Sequence, residues 1–254
     1  MPESLDLGLL APAFVAGLLV VVTHVPLGRR VLARGVVFLD LAVAQVASLG
    51  VIAAAALGWE TGDWHAQFAA IAAALLAAAL LVWSDRRWPQ IQEALIGVLF
   101  VSAASAEFLV LANDPHGGEH VKDMLAGQIL WVTWESLLPL AIIAVAILSI
   151  WIWRRDKLGD FGFYVLFALC VTQSVQFVGI YLVFATLILP ALAMFCVPSR
   201  WPSRSALAVG YCVGGVGYGA GLAVSAAWDL PSGPTIVCAL VLIFLATALA
   251  RRFA

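Results

Sequence analysis

Two sets of residues in this 254-residue chain have side chains able to handle cations or protons. The first lies in Asn113-Asp114-Pro115-His116-Gly117-Gly118-Glu119-His120-Val121-Lys122-Asp123, where two imidazoles stand four residues apart with carboxylates between and beside them. Nitrogen and oxygen donors this close in sequence suit zinc and, less exclusively, manganese or nickel. His116, Glu119, His120 and Asp123 are thus the candidate metal ligands. Pro115 and the two glycines also fit a solvated turn that binds nothing. The second set is Asp40, Gln45, Glu93 and Glu107, polar groups set in long apolar surroundings, where an ionisable side chain is expensive and marks a pathway unless it leans out to water. Asp40 and Glu93 lie near the starts of their apolar runs and could lean out, and Glu107 lies nearer the other, outer end of its run. Gln45, like Gln173 and Gln176, fits either a pathway or interhelical hydrogen bonding.

The surroundings themselves are unambiguous. The chain is 64% hydrophobic and 11% charged, with a mean hydropathy of +1.05, where a soluble domain is roughly half apolar and about a quarter charged. A net charge of -2 leaves no basic excess for a nucleic-acid backbone. Cys170, Cys196, Cys212 and Cys238 sit in or beside apolar runs without CxxC spacing and read as apolar packing residues. No nucleophile set, Walker phosphate loop or dinucleotide fingerprint appears, so the chain is expected to be neither an enzyme nor its own ATPase, and to hold no permanent cofactor.

Apolar runs near the ~20 residues that span a bilayer occur at about 7–25, 36–58, 66–84, 92–112, 135–153, 161–177, 179–197, 205–227 and 235–250. The predicted fold is therefore one all-α, polytopic membrane domain over 1–254 with about nine crossings. The stretch 161–197 is one tilted helix or a hairpin broken near Gln173, Gln176 and Gly179. Twelve of the 13 Lys and Arg fall on one side only if it is a hairpin, and basic loops face the cytoplasm. The N-terminus is then outside and the C-terminus inside, and the acidic and histidine-rich loops face out. Glycines four apart at 210/214, 215/219 and 217/221 predict close helix packing, and Pro190 is expected to bend or interrupt its span.

Several stretches resemble the membrane permease subunits of bacterial zinc and manganese ABC importers. Glu93-Ala94-Leu95-Ile96-Gly97-Val98-Leu99 is similar to the step that opens that family's fourth span. Asp123-Met124-Leu125-Ala126-Gly127-Gln128-Ile129-Leu130-Trp131-Val132 resembles the segment after its outer loop. Phe177 through Ala191, with Gly179 and Pro190, resembles its "Val-Gly-x-Leu-Leu-Val … Leu-Pro-Ala" hairpin, and Asp229-Leu230-Pro231-Ser232-Gly233-Pro234 its loop before the last span. Four such matches in order cover almost the whole chain.

The resemblance implies a permease in the bacterial inner membrane that pairs with a second copy, an ABC ATPase subunit and an extracytoplasmic metal-binding protein, and that moves zinc, or manganese, inward. It also implies ATPase docking on the loop between the fifth and sixth spans, here only Arg154 through Asp160, which makes Arg155, Asp156, Lys157 and Asp160 the coupling candidates. One departure concerns the family's second span, where an Asp and a His sit one turn apart. Anchored on Gly50, those positions hold Leu41 and Gln45, and Asp40 is rotated about 100° away. An ion-driven carrier, a channel or a non-transporting scaffold of the same fold are the competing readings.

Overall fold

The computed structural model describes residues 7–59, 64–111, 125, 127, 129–154, 158–197 and 203–252. Among them run nine α-helices: α1 (Leu7–Arg34), α2 (Leu39–Ala56), α3 (Trp64–Arg87), α4 (Gln92–Val110), α5 (Trp134–Arg154), α6 (Asp160–Val178), α7 (Ile180–Phe195), α8 (Ser203–Trp228) and α9 (Ser232–Arg252). Short 3-10 turns at Pro89–Ile91 and Ile129–Trp131 precede α4 and α5. Each helix coincides with one predicted apolar run. Seven are long and apolar enough to cross a bilayer, and α7 is a shorter apolar helix of 16 residues.

Two prolines lie inside helices without ending them. The first run was expected to end at 25, before Pro26 and the arginines, but α1 continues through Pro26 to Arg34. Pro190 likewise lies inside α7 without interrupting it. A proline removes one backbone donor, and in a tightly surrounded membrane helix neighbours absorb that loss. One turn before Pro190, the Thr186 hydroxyl donates to the Leu182 carbonyl (2.6 Å) and shares a hydrogen bond with the Tyr218 hydroxyl (2.9 Å).

The hairpin forms as expected, and its break is at Gly179 alone. Gly179 has φ 81, which ends α6 and opens α7, while Gln173 remains helical within α6. Gly127, also at positive φ, backs onto the same break, and a Cβ there would collide with the Val178–Gly179 peptide. The segment before α5 is thereby pressed on the hairpin tip. α7 forms the middle of the bundle and packs on α1, α8 and α9. The helix faces left outside carry large apolar side chains, such as Leu138, Ile142 and Val145 on α5 and Leu242 on α9, as lipid-facing surfaces do. Gly210 and Gly214 bring α8 onto Val25 and Val21 of α1, and Gly217 and Gly221 bring it onto Leu240 and Ile236 of α9. Gly215 and Gly219 make only ordinary contacts, at 3.6 and 3.5 Å. Two of the three predicted glycine pairs therefore set close helix approaches.

Candidate functional site

The bundle's apolar interior is interrupted by a row of ionisable and polar groups on α1, α2, α4 and α6. On α2, Gln45 is 4% exposed, and its amide donates to the Glu107 carboxyl of α4, which is 3% exposed. Ser48, one turn after Gln45, is a further hydrogen-bonding partner of Glu107. Two pathway candidates separated by 62 residues thus form one buried cluster. Its satisfaction is incomplete, since Glu107 Oε1 has no hydrogen-bond partner.

Asp40 occupies the first turn of α2 and is 1% exposed. Both of its carboxyl oxygens are buried and lack hydrogen-bond partners. The outward lean that would carry it to water does not occur. An unpaired carboxylate in apolar surroundings costs several kcal/mol or more. Glu93 plays a different part. Its Oε1 accepts from the Phe38 backbone N–H (3.3 Å), the N-cap residue of α2, so this carboxyl ties the start of α2 to the start of α4.

Asp160, expected to couple to an ATPase, is already engaged inside the chain. At the start of α6 it pairs with Arg34 at the end of α1. Arg34 also lies over the Phe163 ring (4.6 Å), and Arg30 lies over Trp151 and Phe163 while donating to the Leu158 carbonyl (3.4 Å). Aromatic faces attract guanidinium groups. The end of α1 is therefore clasped to the α5–α6 connection. Arg155, Asp156 and Lys157 lie outside the described residues, as do the metal-ligand candidates His116, Glu119, His120 and Asp123.

Of the predicted positions in the loop before α9, Asp229 adopts a positive φ of 50. The turn it makes is closed by Leu230 N–H to Ser225 O (3.0 Å) and by Ser225 Oγ to Leu230 O (2.6 Å). Gly233 lies in the first turn of α9. Both shape the α8–α9 connection, and neither joins the buried polar row.

One member of that row was missed in the sequence. His24, fully buried on α1, was put at a water boundary by ending the first run at 25. Its Nδ1 faces the Val20 carbonyl (2.9 Å) and the Thr23 hydroxyl (3.1 Å), while Nε2 is buried without a partner. Nδ1 also lies 3.8 Å from Cys170 Sγ on α6. Among the described residues no three His, Cys, Asp or Glu side chains converge as a closed metal site.

A bundle of long apolar helices with carboxyl, amide and imidazole groups enclosed in it defines a polytopic membrane protein with a polar interior. The sequence pattern of the ABC 3 transport family matches residues 6–163 and 156–251, and the chain belongs to that family. It is 26% identical over 271 residues to the uncharacterized membrane protein slr2045 of Synechocystis, covering 99% of this chain and 94% of that protein. Its fold is similar to that of PsaBC from Streptococcus pneumoniae, solved in complex with Fab, with a TM-score of 0.73, 20% identity and 96% and 91% of the two chains covered. It is also similar to a metal-chelate type ABC transporter in an inward-facing conformation, with a TM-score of 0.67, 18% identity and 94% and 85% covered.

Proposed function

We propose that the chain is the membrane-spanning permease subunit of an ATP-driven importer that carries a divalent metal ion, zinc before manganese, into the cytoplasm of a bacterium. The observation that carries this reading is the pair of buried carboxyls, Asp40 and Glu107, with unpartnered oxygens inside a bundle of a transport family. Such groups are hard to account for as packing and are what a passing cation needs. Asp40, Gln45, Glu93 and Glu107 are the pathway residues in this reading, with Glu93 also holding α2 against α4.

With nine crossings, 12 of the 13 Lys and Arg fall on one side, which supports an outside N-terminus and an inside C-terminus in the inner membrane. The outer loop with His116, Glu119, His120 and Asp123 then receives the ion from an extracytoplasmic binding protein. A separate ATPase subunit docks at Arg155, Asp156 and Lys157, and Asp160 with Arg34 transmits that contact to α1. A second copy of the chain completes the permease. Support comes from the family and from the fold shared with a metal-chelate type ABC transporter.

The capture step is tested by uptake. A transit site holds its ion with few ligands, because a closed four-ligand site would trap it. Replacing His116 and His120 with alanine is expected to lower zinc accumulation in cells at limiting external zinc and to be largely rescued by excess zinc. Normal uptake by the double variant at the lowest zinc tested would reduce the loop to a solvated turn.

A further inference from the structure

We propose that a hydrogen-bonded belt joining the cytoplasmic ends of five helices is the inner gate of the permease, and that the Arg34–Asp160 pair is where it is released. This deepens the transport reading by assigning a closure to its pathway, and it rests on that reading for sidedness and for the ATPase that opens the gate.

The belt runs link by link around one end of the bundle. Arg34, at the end of α1, pairs with Asp160 at the start of α6. One turn into α6, Tyr164 has Arg34 and Gln92 as hydrogen-bonding partners, which carries the belt to the first residue of α4. Gln92 accepts from the Ser84 hydroxyl (2.9 Å) and donates to the Leu81 carbonyl (3.0 Å), which ties in the end of α3. Glu93, the next residue of α4, accepts from the Phe38 N–H at the start of α2 (3.3 Å). Asp40 stands only two residues beyond Phe38, in the first turn of α2, and is nevertheless 1% exposed. A carboxyl so close to a helix end meets water unless that end is closed, and the belt lies at that end.

The links differ in how they can be opened. Tyr164, Gln92 and Ser84 are buried, so nothing outside the bundle reaches them first. The Asp160 side chain is 54% exposed, and it stands shortly after Lys157 in the segment assigned to ATPase docking. An ion pair half open to water is held weakly, so a docking partner can part it. Arg34 keeps a place when Asp160 leaves, because its guanidinium lies over the Phe163 ring at 4.6 Å. Parting is therefore reversible, as a gate requires.

The test measures access from the cytoplasm in inverted membrane vesicles that hold the full chain without its ATPase. In a C170A/C196S/C212S/C238S background, a single cysteine replaces Ala44, which is 1% exposed and one turn beyond Asp40 on the same face of α2. Its rate of reaction with a membrane-impermeant thiol reagent is expected to be low, and to rise about three- to fivefold with Asp160→Asn or Arg34→Gln. Tyr164→Phe, which keeps the ring and removes only the hydroxyl, should raise it about two- to tenfold. Arg34→Gln and Asp160→Asn together should be no faster than either alone, because both remove one link. A cysteine at Ala70, buried in the outer half of α3, should stay slow throughout. Unchanged reaction at Ala44 in all variants, or equal acceleration at Ala70, which marks general loosening, overturns the gate. Labelling needs no metal, so the two readings fail separately. ATP-driven zinc uptake with no acceleration at Ala44 rejects the gate and keeps the transport reading, whereas acceleration confined to Ala44 in a chain that moves no metal does the reverse.

Discussion

Glu107→Gln is expected to lower metal transport by about 10–100-fold while leaving the protein inserted and folded. The substitution keeps the shape of the side chain and an oxygen to accept from the Gln45 amide, so the α2–α4 contact survives. What disappears is the negative charge. A hydrogen-bonded or coordinating contact to a charged group contributes ~1.5–3 kcal/mol, which converts to about 10–100-fold in the population of the bound ion. Glu107→Leu should behave differently, because it strands the buried Gln45 amide and costs ~1–3 kcal/mol of stability. The pair of variants separates two roles for one residue. Thermal unfolding in detergent should place the glutamine variant near the parent and the leucine variant below it. Transport by Glu107→Gln at the parent's rate would make the carboxyl packing glue and remove it from the pathway.

Gly28→Val is the substitution expected to damage the fold most. Gly28 lies on α1 where a Cβ would press into the Leu187 backbone carbonyl of α7, with Ala191 Cβ another 3.1 Å neighbour. A flexible side chain could swing aside, but a helix backbone in the middle of the bundle cannot without moving α7. Overpacking costs typically ~1–3 kcal/mol, and a backbone collision belongs at or above the top of that range. Loss of folded protein on extraction is the expected outcome. Gly97→Ala on α4 is the control, since nothing lies within 4 Å of a Cβ there, and it should stay within ~0.5 kcal/mol of the parent. Equal stability of both variants would mean that α1 and α7 are not in the contact described.

The helices were legible in the sequence because each apolar run must be as long as the bilayer is thick, and run length survives in one dimension. Eight runs agree with their helices to within about three residues at each end. The exception is the C-terminal end of α1, which runs nine residues past the apolar run into the arginines, and the short reading of that run left His24 unremarked. The hairpin was legible from charge, because only two crossings between 161 and 197 keep the arginines together. Partners across the fold were not legible. Gln45 meets Glu107 across 62 residues and Arg34 meets Asp160 across 126, and no local pattern encodes which helices are neighbours. Asp160 illustrates the cost of that blindness: in the sequence it was a docking acid facing the cytoplasm, and in the fold its partner is the end of α1. The same limitation hid the relation between Cys170, read as a packing residue, and His24.

The family resemblance read from motifs along the chain was sound at the level of fold and family. The departure at Gln45 also has a physical answer in the fold. An amide there cannot replace an imidazole as a ligand, but it holds Glu107 in place from the neighbouring helix.

The central claim, a permease that couples ATP hydrolysis elsewhere to metal entry, is tested most directly in sealed vesicles. The chain is reconstituted with its ATPase subunit and the extracytoplasmic binding protein, the binding protein is loaded with radioactive zinc, and ATP is supplied on the ATPase side. The account predicts zinc accumulation against its gradient that requires ATP and the binding protein, and that falls about tenfold or more with Glu107→Gln. Zinc that equilibrates without ATP, or that follows an imposed proton gradient instead, would contradict it.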